Sequence, residues 1–211
     1  MEEYRYLQEL TERYPALKGL EEEIRAAFLV IKESFEAGGK LLVAGNGGSC
    51  ADAEHIVGEL MKSFVKPRPL PEALKEALIH EEPGLGGALS EKLQGGLPAI
   101  ALNSHPGLTS AFLNDVDGEM AYAQQVLGYG KKGDVFLGIT TSGNAKNIRY
   151  AAVTARAMGL RVVGLTGRGG GALAALCDAA VIAPEKETYR IQELHLPIYH
   201  ALCLMLEETF F

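Results

Sequence analysis

The chain is poor in cysteine, has no long apolar run, and carries no excess of positive charge. Its three cysteines, Cys50, Cys177 and Cys203, are an odd and scattered set. They exclude a disulfide-built scaffold, and no CxxC pair is present to hold a metal. No stretch approaches the ~20 consecutive apolar residues of a membrane helix, and no leader-type segment opens the sequence. A cytoplasmic protein with no membrane partner is therefore expected. The formal net charge of −7 argues against broad nucleic-acid binding. There is no internal repeat and no low-complexity tail.

What is present has the balance of a globular protein. The 211 residues are 47% hydrophobic and 22% charged, enough for a single domain over 1–211 with a sizeable core. Twenty-five glycines predict many tight turns or close backbone approaches.

Hydrophobic spacing gives the architecture. Leu7, Leu10, Tyr14, Leu17 and Leu20, then Ile24, Phe28, Ile31 and Phe35, recur at helical intervals, so 1–37 reads as helical with a break or kink at Pro15. Short apolar runs at 40–44, 98–102, 134–140 and 161–166, with a weaker one at 179–183, read as strands. Helices are expected over 50–64, 144–158 and 190–208. Strands alternating with helices predict an α/β protein, a three-layer αβα sandwich around a central parallel sheet. The stretch 66–97 differs. Four prolines and five glycines flank two short helices, at about 72–80 and 86–94, and the stretch reads as an insertion within the domain. It covers the active site, lines a subunit interface, or is a surface excursion.

Two glycine- and hydroxyl-rich turns follow predicted strands. In the first, Gly45-Asn46-Gly47-Gly48-Ser49 precedes a helix, so backbone amides, the Ser49 hydroxyl and the helix N-terminus can hold an anion. The alternative is a plain strand–helix turn. A dinucleotide loop fits less well, because Cys50 stands where GxGxxG needs its third glycine. The second turn is Thr140-Thr141-Ser142-Gly143-Asn144, with Asn147 at the next helix start. Alone it reads as a helix cap; beside the first it reads as the other half of a phosphate cradle. Neither turn has a Walker lysine, which disfavours nucleotide hydrolysis. The turn around Arg168 is read as exposed, with no catalytic role.

His55 and Glu59, four apart, share a helix face and can meet one ligand. Glutamate can abstract a proton; histidine can ligate a metal or shuttle protons. The same spacing also occurs on plain solvated surfaces. Gln192 and His200, eight apart, are separated by ~12 Å along an ideal helix, so a shared small ion requires a bend or an approach from the side. Four such N and O donors can hold zinc if the two helices converge. His195 is read first as a core or interface histidine, and Cys50 as a packing residue.

The stretch 45–60, GNGGSCADAEHIVGEL, resembles the sugar isomerase (SIS) domain family and, within it, the phosphoheptose isomerases. Thr141-Ser142-Gly143-Asn144 is similar to the family's second phosphate loop, Asn114-Asp115 to its Asn-Asp pair, and Arg190-Ile191-Gln192-Glu193-Leu194-His195 with His200 to its last helix. The likeness spans most of the chain outside 66–97. It implies a SIS fold, a phosphorylated sugar as substrate, and a homotetramer with active sites near subunit interfaces. It also implies Glu59 as base, His200 as opposing acid, and a Zn2+ site of His55, Glu59, Gln192 and His200. Substrate contacts are implied for Asn46, Gly47, Gly48, Ser49, Asn114, Asp115, Thr140, Thr141, Ser142, Asn144 and Gln192. The expected reaction is isomerisation of sedoheptulose 7-phosphate to D-glycero-D-manno-heptose 7-phosphate. Three positions depart from the pattern: Ala145 replaces a serine, and His105 and Tyr189 stand where sugar contacts are expected. They leave open another phosphosugar as substrate. A regulator that binds phosphosugar without catalysis is the alternative of a different class.

Overall fold

The five apolar runs meet as one parallel sheet. In the computed structural model, which describes residues 2–211, the strands are β1 (Leu41–Gly45), β2 (Ala99–Ala101), β3 (Val135–Thr140), β4 (Arg161–Thr166) and β5 (Ala179–Ile182). Their order is β2-β1-β3-β4-β5, with every neighbouring pair parallel. All residues of β1 and β3 are buried, as central strands covered on both faces require.

Alternation along the strands divides the core in two. Leu41, Val43, Val135, Leu137, Ile139, Val163 and Leu165 enter one layer; Leu42, Ala44, Phe136 and Val162 enter the other. The helices are α1 (Arg5–Arg13), α2 (Glu21–Glu36), α3 (Gly48–Met61), α4 (Glu72–Glu81), α5 (Pro83–Lys92), α6 (Pro106–Asp115), α7 (Ala121–Tyr129), α8 (Lys146–Ala157), α9 (Gly171–Ala174) and α10 (Thr188–Phe210). The apolar faces of α1, α2, α3 and α10 close the first layer, and those of α7, α8 and α9 close the second. This is the αβα sandwich that the alternation predicts.

The N-terminal helical stretch is two helices separated by a 3-10 turn that Pro15 opens. The final helix starts two residues earlier than expected and runs through Pro197. α3 starts at Gly48 and ends at Met61, earlier at both ends than the spacing indicates, because the chain turns at Lys62 into extended backbone. The two short helices of 66–97 form an antiparallel hairpin, tight enough that a Cβ on Gly86 would meet the Leu78 backbone. α6 and α7 have no counterpart in the periodicity reading. α6 buries none of its side chains.

Residues 63–68 are fastened to α10 by a buried charge pair. Arg68 Nε donates to Glu207 Oε1 at 2.8 Å, and both side chains are fully buried. Glu207 also accepts the backbone N–H groups of Phe64, Val65 and Lys66 at 2.9, 2.9 and 3.1 Å. Burial alone pushes the Glu207 carboxyl up; these amides and the guanidinium outweigh it and hold it below the ordinary carboxylate range. The other guanidinium nitrogens donate to the carbonyls of Leu60 and Glu59, at 2.7 and 3.0 Å. The last turn of α3 is thereby capped from outside the helix.

Candidate active site

β1 is flanked by β2 on one side and β3 on the other, so the chain leaves β1 and β3 in opposite directions. In open α/β sheets, ligands bind in the crevice at the carboxyl ends of such strands. Here a crevice of about 390 Å³ lies at that point, lined by Asn46, Gly47, Gly48, Ser49, Thr140, Thr141, Ala145, Thr188 and Gln192. Gly47 has φ of 56°, a conformation open to glycine at little cost, and it turns the chain directly into α3. The first amides of α3 therefore face the crevice.

Several bonds fix the two turns. The side-chain amides of Asn46 and Asn147 bond each other reciprocally, both at 2.9 Å, tying the first turn to the start of α8. The Tyr122 hydroxyl donates to the Gly45 carbonyl at 2.8 Å, and burial pushes that phenol up to about 12. In the second turn, Gly143 has φ of 65° and lies against the backbone of Gly170 and Gly171. Asn144 Oδ1 accepts the Ala172 N–H at 3.1 Å, and Ser142 Oγ accepts the Asn144 N–H at 3.1 Å. Ser142 and Asn144 thus shape the turn, whereas Thr140 and Thr141 line the crevice. Arg168 binds the Lys186 carbonyl and the Thr188 hydroxyl at 2.7 and 2.9 Å, which holds the start of α10 against the same rim.

Two turns further along α3, the acid–base residues meet. His55 Nε2 lies 3.1 Å from Glu59 Oε1, and the His55 and His200 ring centroids are 4.9 Å apart at 86°. On its other side, His55 Nδ1 is 2.9 Å from the Tyr199 hydroxyl, which donates to Asp52 Oδ1 at 3.3 Å. Burial holds the His200 imidazole below its usual range, and His55 adds to this while Glu59 opposes it. Three polar atoms here are buried without a hydrogen-bond partner, Asp52 Oδ2, Glu59 Oε2 and His200 Nε2, although Lys62 Nζ lies 3.7 Å from Glu59 Oε2. Buried polar groups rarely stay unpaired, and with His55 beside both, Glu59 and His200 offer the N and O donors that zinc takes. Among the described residues, no three His, Cys, Asp or Glu side chains form a ready-made metal cluster.

The structure therefore joins Glu59, His55 and His200, and separately joins the two turns at 45–49 and 140–144. Gln192 belongs to the second group: its amide nitrogen would lie 2.6 Å from a Cβ placed on Gly48. On α10 it stands ~12 Å from His200 along the helix axis. Asn114 and Asp115 lie exposed at the end of α6, bonded to each other at 2.7 Å, and meet neither group within the chain. His195 is a fully buried core histidine whose Nε2–H donates to the Thr166 carbonyl at 3.0 Å, and burial lowers it to about 4. Burial raises the Cys50 thiol, as a packing residue requires. His105 stacks at 5.5 Å on Tyr129. Sequence reasoning missed Tyr199, Asp52, Tyr122 and Thr188; the signal available was a tyrosine next to His200 and a threonine at the helix start.

A larger hollow of about 740 Å³ lies beside Arg168, Ile182, Glu185, Lys186 and Glu187, but it includes no histidine and neither glycine turn. Size alone does not locate the chemistry.

Comparison with known proteins identifies the family. The sequence profile of the SIS domain matches residues 5–93 and 83–167. A phosphoheptose isomerase of Aneurinibacillus thermoaerophilus is 39% identical over 179 residues, covering 85% of this chain and 77% of that protein. Another, from a Nitratiruptor species, is 36% identical over 206 residues, 96% of each chain. Among solved structures, the phosphoheptose isomerase GmhA from Neisseria gonorrhoeae superposes with a TM-score of 0.74 at 31% identity, covering 98% of this chain and 94% of that one. A phosphoheptose isomerase from Francisella tularensis gives 0.76 at 29% identity, covering 97% and 95%. The chain belongs to the SIS-domain family and is closely related to its phosphoheptose isomerases.

Proposed function

We propose that this chain is an aldose–ketose isomerase that converts sedoheptulose 7-phosphate to D-glycero-D-manno-heptose 7-phosphate. The observation that carries the reading is that Glu59 and His200 both neighbour His55, on the two helices whose N-terminal ends line the crevice. The terminal phosphate sits in the crevice, held by amides of the first turn and by Ser49, Thr140 and Thr141. Glu59 takes a proton from C1, beside the carbonyl. His200 gives one to the carbonyl oxygen, forming the enediol. A proton then returns to C2 while the C1 hydroxyl gives up its own, and the aldehyde forms. Hydrogen moves between neighbouring carbons, so no redox cofactor is required.

The donor set fits zinc, with His55, Glu59 and His200 as its holders. Bound there, zinc supplies Lewis-acid polarisation of the carbonyl oxygen. Because Gln192 and His200 stand eight residues apart on one helix, a Gln192 from a second subunit is the fourth donor in this reading. The same reasoning favours a homotetramer with active sites near subunit boundaries, where Asn114 and Asp115 can reach a neighbour's sugar. Exposed Leu74, Ile79, Leu85, Leu89 and Leu113 offer apolar surface for such contacts. No helix among the described residues is long and apolar enough to cross a membrane.

The test is an isomerisation assay at defined zinc over heptulose, hexulose and pentulose phosphates, following product and deuterium uptake from heavy water. Turnover on sedoheptulose 7-phosphate is expected. His105, Tyr189 and Ala145 favour a second reading, another ketose phosphate as substrate. High turnover on one of those with none on sedoheptulose 7-phosphate would select it. Binding without deuterium exchange on any sugar would select a phosphosugar-sensing regulator.

A further inference from the structure

The buried phenol beside the acid–base residues has no part in the proposed proton transfers, yet its hydroxyl is held from two sides. Tyr199 is 1% exposed. Its ring packs edge-on against His55 and His200, with centroids at 5.5 and 5.0 Å. A phenol has one hydrogen to give, and an ionised carboxylate only accepts. In this arrangement the Tyr199 hydrogen is given to Asp52 Oδ1, at 3.3 Å. The phenol's lone pairs then face His55 Nδ1 at 2.9 Å, and Nδ1 must carry a hydrogen to bond them. In a neutral imidazole that leaves Nε2 bare, and Nε2 is the nitrogen 3.1 Å from Glu59 Oε1. Two acceptors facing each other at that distance repel unless a positive centre lies between or beside them; the exposed Lys62 ammonium, 3.7 Å from the other carboxylate oxygen, offsets this only from the far side and leaves the space at Nε2 open to a cation.

We propose that Asp52 and Tyr199 are positioning residues that hold His55 as its Nδ1–H tautomer and aim the Nε2 lone pair at the space shared with Glu59 and His200, where a divalent cation of the zinc type binds. The inference rests on the reading of His55 as a metal ligand in the proposed function. A ligating histidine is oriented in this manner when its second nitrogen donates to a fixed acceptor, and loss of that acceptor weakens metal binding by about 10–100-fold.

The experiment uses full-length, metal-free protein with 15N-labelled histidine, at a pH where the imidazoles are neutral. Long-range 1H–15N correlations report which ring nitrogen carries the proton, and His55→Gln identifies the signal among the five histidines. Zinc affinity is measured in parallel by chelator competition. The wild type is expected to show His55 protonated on Nδ1. Tyr199→Phe keeps the ring and its packing but removes the hydroxyl. It is expected to move the proton to Nε2, where Glu59 accepts it, and to weaken zinc binding at least tenfold. A wild-type His55 protonated on Nε2 overturns the inference. So does a folded Tyr199→Phe that leaves either the tautomer or the affinity unchanged. If that variant does not fold, the wild-type tautomer alone decides. Isomerisation is scored separately: a wild type with the Nδ1–H tautomer and tight zinc, but no turnover, rejects the proposed reaction and leaves this inference standing.

Discussion

Replacing Arg68 by methionine removes a guanidinium that holds three parts of the chain at once. Its Nε pairs with Glu207 at 2.8 Å, and its terminal nitrogens satisfy the carbonyls of Leu60 and Glu59 at 2.7 and 3.0 Å. Methionine fills much of the volume but donates nothing. Glu207 then remains charged and buried, with only the amides of Phe64, Val65 and Lys66 for company. Breaking a buried pair from one side costs ~3–5 kcal/mol, a large share of the roughly 5–15 kcal/mol that holds a typical domain folded. At a urea slope of roughly 3 kcal/mol per molar, a loss of ~4 kcal/mol lowers the midpoint by about 1.3 M. Wild type and variant are compared at matched concentration, since assembly shifts apparent stability. Adding Glu207→Leu does not restore the loss, because the amides of Phe64, Val65 and Lys66 then lose their acceptor and the Arg68 contacts to α3 stay absent. Turnover falls in the single variant as well, because Glu59 sits on the turn that Arg68 caps. A loss below ~1 kcal/mol, or full recovery in the double variant, refutes the reasoning.

Gly143→Ala forces a side chain into a backbone with φ of 65° and against Gly170. The left-handed conformation alone costs ~1–2 kcal/mol, and the second turn must move; inorganic phosphate titrated against the variant is expected to bind at least tenfold more weakly, and unchanged binding refutes a role for this turn. His195 gives a pH dependence: it titrates near about 4 when folded and near ~6.5 when unfolded. Between these values the unfolded chain binds more protons, so its contribution is full above the upper value and is lost as pH falls toward the lower one. The drop from pH 7 to 4.5 reaches roughly 2.4 kcal/mol. Urea midpoints of wild type and His195→Gln at the two pH values check this, and equal pH dependence in both refutes it.

The sheet was legible because its strands are buried on both faces, and 161–166, RVVGLT, has no other reading at that length between breakers. The α6 and α7 region was not, because both helices are short, α6 buries nothing and α7 buries only Ala121, Gln125 and Val126. At the site, the glycine turns announced themselves through residues that only a tight turn needs. The i, i+4 spacing put His55 and Glu59 on one face, but whether that face met His200 depended on α3 and α10 packing side by side, which no local pattern encodes. The same packing places Gln192 at Gly48 and away from His200 in its own chain. Tyr199 and Asp52 were invisible for a related reason: each is ordinary alone, and only the bond between distant helices gives them a role.

The most direct measurement is deuterium uptake and turnover on sedoheptulose 7-phosphate by Glu59→Gln, with folding and phosphosugar binding verified. Loss of a positioned general base costs about 10²–10⁴-fold, so the variant is expected to bind the sugar and to exchange and isomerise at least a hundredfold more slowly. A folded, sugar-binding variant that works at the parent rate contradicts the account.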